Sequence, residues 1–187
     1  MKRWIAYCIA PLIGIAGAIG VVFAMSACAT TAPIKLPPEQ RIIQDVIEIE
    51  GKSQDELYVS CMKWMAKAFK ESKEVIQYQD KEAGTIIGKG YTIATDPLLI
   101  RNAKLMSLGA TVLGEKIGAT PYLRFTITLE AKDGKVRITF DQIGFTTSLS
   151  IDPIEIDNVE WFNAAKSDFE SVVKDLEAFL EQPEEEW

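Results

Sequence analysis

Two strand-like runs, Tyr122–Ala131 and Lys135–Ile143, flank Lys132-Asp133-Gly134, and no other feature restricts the fold as strongly. Asp-Gly between two such runs is a hairpin signal. Other segments fit around that hairpin. Ile42–Glu50 alternates apolar and polar at its end (Val46, Ile47, Ile49), as a strand with one buried face does. Gly51-Lys52 makes a turn, and Ser53 with Glu56 forms a capping box. The helix after it carries Leu57, Cys61, Trp64, Met65, Ala68 and Phe69 on one stripe. Val75–Tyr78 and Gly84–Thr95 read as strands around a turn at Asp80–Ala83. Asp157 with Glu160 resembles a second capping box, before a helix with Phe162, Ala165, Phe169, Val172, Leu176 and Phe179 on one face. The order strand, helix, antiparallel strands, helix predicts an α+β domain over 41–182, with two amphipathic helices covering one sheet face. An acidic tail, 183–187, follows Gln182.

Several of these residues also carry a resemblance. Glu56-Leu57-Tyr58 and Trp64 on the first helix, Gly88-Lys89-Gly90 on a strand, and Lys132-Asp133-Gly134-Lys135 with Arg137 at the hairpin resemble the DUF4468-type family. This is a bacterial domain-of-unknown-function family with a TBP-like fold, common in lipoproteins. The resemblance covers about Ile42 to Ile143 and implies a saddle-shaped sheet. It rests on turn and packing residues, so it implies no chemistry, and a fold alone supplies none.

The N-terminus concerns address. Lys2 and Arg3 precede Trp4–Ile34, which holds no charged side chain. A basic start, an apolar run and small residues before a cut site describe a secretory signal peptide, here 1–27. Met25-Ser26-Ala27-Cys28 resembles a lipobox, in which Cys28 is lipidated and becomes the first mature residue. The alternatives are an uncleaved transmembrane anchor, since a span needs ~20 apolar residues, and soluble secretion. Ala29 rather than aspartate after Cys28 points, by resemblance to a sorting rule of some Gram-negative bacteria, to the outer membrane. Residues 28–40, with Pro33, Pro37 and Pro38, read as an extended tether.

Removing 1–27 takes the net charge from −7 to −9, which argues against a nucleic-acid partner. Cys8 leaves with the signal and Cys28 carries lipid, so Cys61 has no intrachain disulfide partner. The chain has no histidine, the commonest general base and usual zinc ligand. Gly84–Gly90 is one residue short of a phosphate loop and lacks its hydroxyl. Gly109–Lys116 has Glu115 where that loop needs lysine. Asp152, Glu155 and Asp157 alternate with Ile154 and Ile156, as on an extended edge rather than in a calcium loop. Cys61 on its apolar stripe reads as core, and Trp64 and Trp161 as core anchors rather than sugar platforms. No catalytic, cofactor-binding or metal residue is assigned.

Residues 96–120 separate two strands that a short connection could join, and such long connections are usually functional or disordered. Leu99, Ala103, Met106, Ala110, Leu113 and Ile117 recur at helical steps, with Leu98, Leu105 and Val112 every seven residues beside them. This predicts an inserted apolar helix, either extra core or a surface for a partner or membrane, with Leu99, Met106 and Leu113 as the candidate contacts. Three functions remain open: a lipid-anchored envelope module binding a protein or surface component, a carboxylate-dependent envelope hydrolase, or a structural subunit of a membrane assembly.

Overall fold

A computed structural model describes residues 33–69, 76–106, 111–112, 115–116, 119–149 and 152–182. The elements run β1 (Ile43–Glu48), α1 (Gln54–Ala68), β2 (Ile76–Asp80), β3 (Thr85–Ile93), α2 (Pro97–Met106), β4 (Thr111–Val112), β5 (Glu115–Lys116), β6 (Pro121–Lys132), β7 (Lys135–Thr147), β8 (Ile154–Glu155) and α3 (Val159–Leu180). The fold is α+β. An antiparallel sheet runs in the order β1-β7-β6-β3-β2, and β8 extends it by pairing with the end of β7 beyond β1.

The hairpin is the centre of the sheet. Asp133-Gly134 makes the turn, with Gly134 at φ 72°. Leu123, Phe125, Ile127, Leu129 and Ala131 of β6 alternate inward, matched by Val136, Ile138 and Phe140 of β7. Beyond Phe140 the inward set becomes Ile143 and Phe145. The change of parity has a local cause. One residue too many on β7 faces β6 between Arg124 and Thr126, and Gln142 takes φ 49°. Such a bulge re-aims every side chain after it.

Helices α1 and α3 cover this inward face. Phe169 of α3 lies 5.1 Å from Phe125 and 4.6 Å from Phe140, centroid to centroid, and Phe69 at the end of α1 lies 6.0 Å from Phe125. Ser53 caps α1 in the expected box, its hydroxyl accepting from the Glu56 N–H while the Glu56 carboxylate accepts from the Ser53 N–H. The cap of α3 is Asn158 rather than Asp157. Asn158 holds the extended backbone a cap needs, and its Oδ1 accepts from the Trp161 N–H at 2.9 Å. Asp157 instead pairs with Lys35 at 2.9 Å.

Two boundaries differ from expectation. The extended lead-in belongs to the domain from Ile34 onward: the Leu36 N–H donates to Asp157 at 2.7 Å, and the Val159 N–H donates to Ile34 at 3.1 Å. The helix expected over 96–120 ends at Met106, and Thr111–Val112 pairs with Glu115–Lys116 as a small hairpin. β-branched Thr111 and Val112 favour strand, and Gly109 and Gly114 weaken any helix through them. Among the described residues no helix is long and apolar enough to cross a membrane.

Candidate functional site

Because the long helices take one face, strand alternation sends Lys89 and Tyr91 of β3, with Arg124 and Thr126 of β6, to the opposite one. The register sets Tyr91 across from Arg124 and Lys89 across from Thr126. Tyr122 meets Tyr91 edge to face at 5.7 Å, and Tyr91 keeps 41% of its surface exposed. On the β7 side, Gly144 lies across from Arg124. A Cβ at Gly144 would come 3.1 Å from the Pro153 Cβ, so the missing side chain lets Pro153 rise as a wall beside the strand. The result is a cleft of about 290 Å³ lined by Lys89, Tyr91, Arg124, Thr126, Gln142 and Pro153.

The electrostatics of the cleft are unbalanced. Arg41 is paired with Glu155 at 2.5 Å and Arg137 with Glu130 at 2.5 Å. Lys89 and Arg124 have no acid partner among the described residues. The Thr126 hydroxyl donates to Gln142 Oε1 at 3.2 Å. Beside them Asp141, across from Thr126, buries an Oδ1 that has no hydrogen-bond partner among the described residues. Burial raises its carboxyl above the usual carboxylate range, and the nearby Thr126 hydroxyl offsets this only in part.

A second groove, about 300 Å³, runs between α1, α3 and the end of β3, with Asp168 and Asp175 on its wall. Both acids already hold the fold together. Asp168 accepts from the Thr95 N–H at 3.1 Å and from the Thr95 hydroxyl, and Asp175 accepts from Trp64 Nε1 at 2.8 Å. They lie seven residues apart on one helix, ~10.5 Å along its axis.

The residues singled out from sequence fall as follows. Cys28 and Leu113 lie outside the described residues. Leu99 is fully buried, while Met106 is 48% exposed, so these two do not share an open stripe and Leu99 is core. Cys61 is fully buried, and desolvation pushes its thiol up to about 12. Glu155 and Asp157 are each engaged by a cation. Gly84–Gly90 leads into and along a strand, and Gly90 is needed there because a Cβ would meet the rings of Phe69 and Phe125 at 3.0 Å. Trp64 is in the core, and Trp161 packs on Phe145 at 5.3 Å. Arg124, Tyr91 and Gln142 were not singled out. The available signal was their place on the polar side of alternating strands, which marks a solvated face without distinguishing a cleft.

Among curated proteins none matches this chain. The chain is similar to a crystal structure of a DUF4468 family protein from Bacteroides ovatus, with 17% identity and a TM-score of 0.52 over 78% of this chain and 89% of that one. It is also similar to a TBP-like protein from Parabacteroides distasonis, with 14% identity and a TM-score of 0.53 over 76% and 94%. At these identities the likeness is one of fold. A family profile described as a domain of unknown function (DUF4468) with TBP-like fold matches residues 44–146, from β1 through the bulged strand that builds the cleft, and the chain belongs to that family.

Proposed function

We propose that this protein is a lipid-anchored component of the bacterial cell envelope whose domain binds a surface component through the sheet face that α1 and α3 leave open. The observation that carries the binding reading is the cleft of Lys89 and Arg124, two cations without an acid partner among the described residues, in a chain whose overall charge is −7. Anchoring is supported by the sequence Met25-Ser26-Ala27-Cys28 alone. Two or more acyl chains on Cys28, at ~0.8 kcal/mol per buried methylene, hold a protein on a bilayer stably, and Ala29 favours the outer membrane. Binding is preferred to hydrolysis because the two acids sharing a groove, Asp168 and Asp175, are committed to structural hydrogen bonds.

The test has two arms. Cells expressing the full chain are labelled with a fatty-acid analogue; label on wild type that disappears in Cys28→Ala is the expected outcome. An unlabelled wild type with its N-terminus intact refutes lipidation in favour of a membrane anchor. Separately, Cys28→Ala protein is incubated with delipidated envelope material. Retention that falls at least tenfold on adding Lys89→Glu and Arg124→Glu, with the melting temperature unchanged, is expected. Retention indifferent to those changes removes the open face from consideration.

A further inference from the structure

We infer that the cleft between β3, β6 and Pro153 is a subsite for an acidic sugar: a carboxylate-bearing ring within a longer saccharide. The inference rests on the binding role proposed for this face and names its ligand. Its first ground is charge. Tyr91 stands directly across from Arg124, which leaves Lys89 and Arg124 as diagonal neighbours on one face, a spacing of ~7–8 Å between such residues. Like charges so placed repel each other, and neither forms an ion pair with an acid among the described residues. A single carboxylate set between the two side chains would accept from both, and arginine can grip it with two parallel N–H donors.

The second ground is the rest of the wall. Thr126 and Gln142 supply a hydroxyl and an amide at the floor, groups that match ring hydroxyls. Tyr91 presents a partly exposed ring, held in place by Tyr122 at 5.7 Å. An aromatic ring gives a sugar's C–H face an apolar surface, and the phenol oxygen adds a polar contact at its rim. The third ground is size and shape. At about 290 Å³ the cleft lies at the low end of small-molecule sites. It has room for one or two rings and no enclosing wall, which fits a chain passing across the sheet rather than a swallowed ligand. Asp141 sets the limit of the cationic region, because its carboxylate would repel a second acidic ring placed over β7.

The experiment uses the full chain in detergent micelles and titrates it calorimetrically with oligogalacturonate, with the methyl-esterified oligosaccharide of equal length, and with oligoglutamate of equal charge. The inference expects saturable binding of the acid, weakened at least tenfold by esterification and at least tenfold relative to the acid for oligoglutamate. Arg124→Glu should abolish binding, and Arg124→Lys should weaken it severalfold because the fork is lost and the charge kept. Tyr91→Leu should weaken it while Tyr78→Leu, an exposed tyrosine on β2 outside the cleft, should not. Each variant is checked for an unchanged melting temperature, which exposed positions should preserve. Equal binding of oligoglutamate means that charge alone is read, and overturns the sugar assignment. Absence of acid binding, or binding unchanged in Arg124→Glu, also overturns it. In either case envelope retention that still depends on Lys89 and Arg124 leaves the open face as a binding surface for another ligand, whereas loss of that dependence refutes both.

Discussion

Cys61 faces the core from α1, one turn before Trp64 and Met65, and its thiol is pushed up to about 12 by desolvation alone. At neutral pH it is a small apolar group rather than a nucleophile. Cys61→Ser should therefore destabilise the domain by ~1–3 kcal/mol through burial of a hydroxyl, while Cys61→Ala should cost less, both read from denaturant midpoints. A bulky maleimide should leave the native thiol untouched. Asp141 is the opposite kind of residue, an acid that the fold makes harder to ionise. A folded pKa above the unfolded one means that the native state holds the proton more tightly, so stability is lost as pH rises through that window. Asp141→Asn should thus raise the melting temperature at neutral pH and leave it unchanged well below the unfolded value of ~3.9. A gain of equal size at both pH values would show that ionisation of Asp141 is not its source.

The elements differ in how far the sequence disclosed them. The capping box of α1 was legible because Ser53 and Glu56 satisfy each other locally, without help from the rest of the fold. The cap of α3 was missed by one residue because the neighbouring acid, Asp157, has a tertiary partner in Lys35 that no local pattern displays. The segment 96–120 misled for a related reason. Its apolar steps continue past Met106 at helical spacing, yet Thr111–Val112 and Glu115–Lys116 pair as strands. Periodicity reports which residues seek cover and does not say where a helix must stop. Within α2, Leu99 is sealed in the core and Met106 is not. Leu99→Ala should cost ~2–5 kcal/mol, and Met106→Ser no more than ~0.5 kcal/mol. A comparable loss at both positions would mean that Met106 is covered in solution, and would reopen the partner-facing reading of this helix.

At the level of the whole molecule, the α+β class followed from the hairpin and two amphipathic stripes, but the cleft did not. Its walls come from β3, β6, β7 and the Pro153 segment, and the β7 part is set by a bulge at Gln142 that changes parity within that strand. A register shift of that kind leaves no alternation error large enough to notice in sequence. The same topology makes a kinetic prediction. The hairpin of β6 and β7 closes over a two-residue turn, whereas β1 joins it by pairing Ile47 with Val136, a loop of roughly 90 residues whose entropy must be met before any contact rewards it. The local hairpin should therefore be structured in the folding transition state and β1 should dock late. Ile138→Val and Ile47→Val remove the same methylene from buried sites on adjacent strands, at ~0.5–1.5 kcal/mol each. In stopped-flow chevrons Ile138→Val should mainly slow refolding, while Ile47→Val should mainly speed unfolding. If Ile47→Val slows refolding as much as Ile138→Val does, the long-range pairing forms with the hairpin, and the edge strand belongs to the nucleus rather than to the last step.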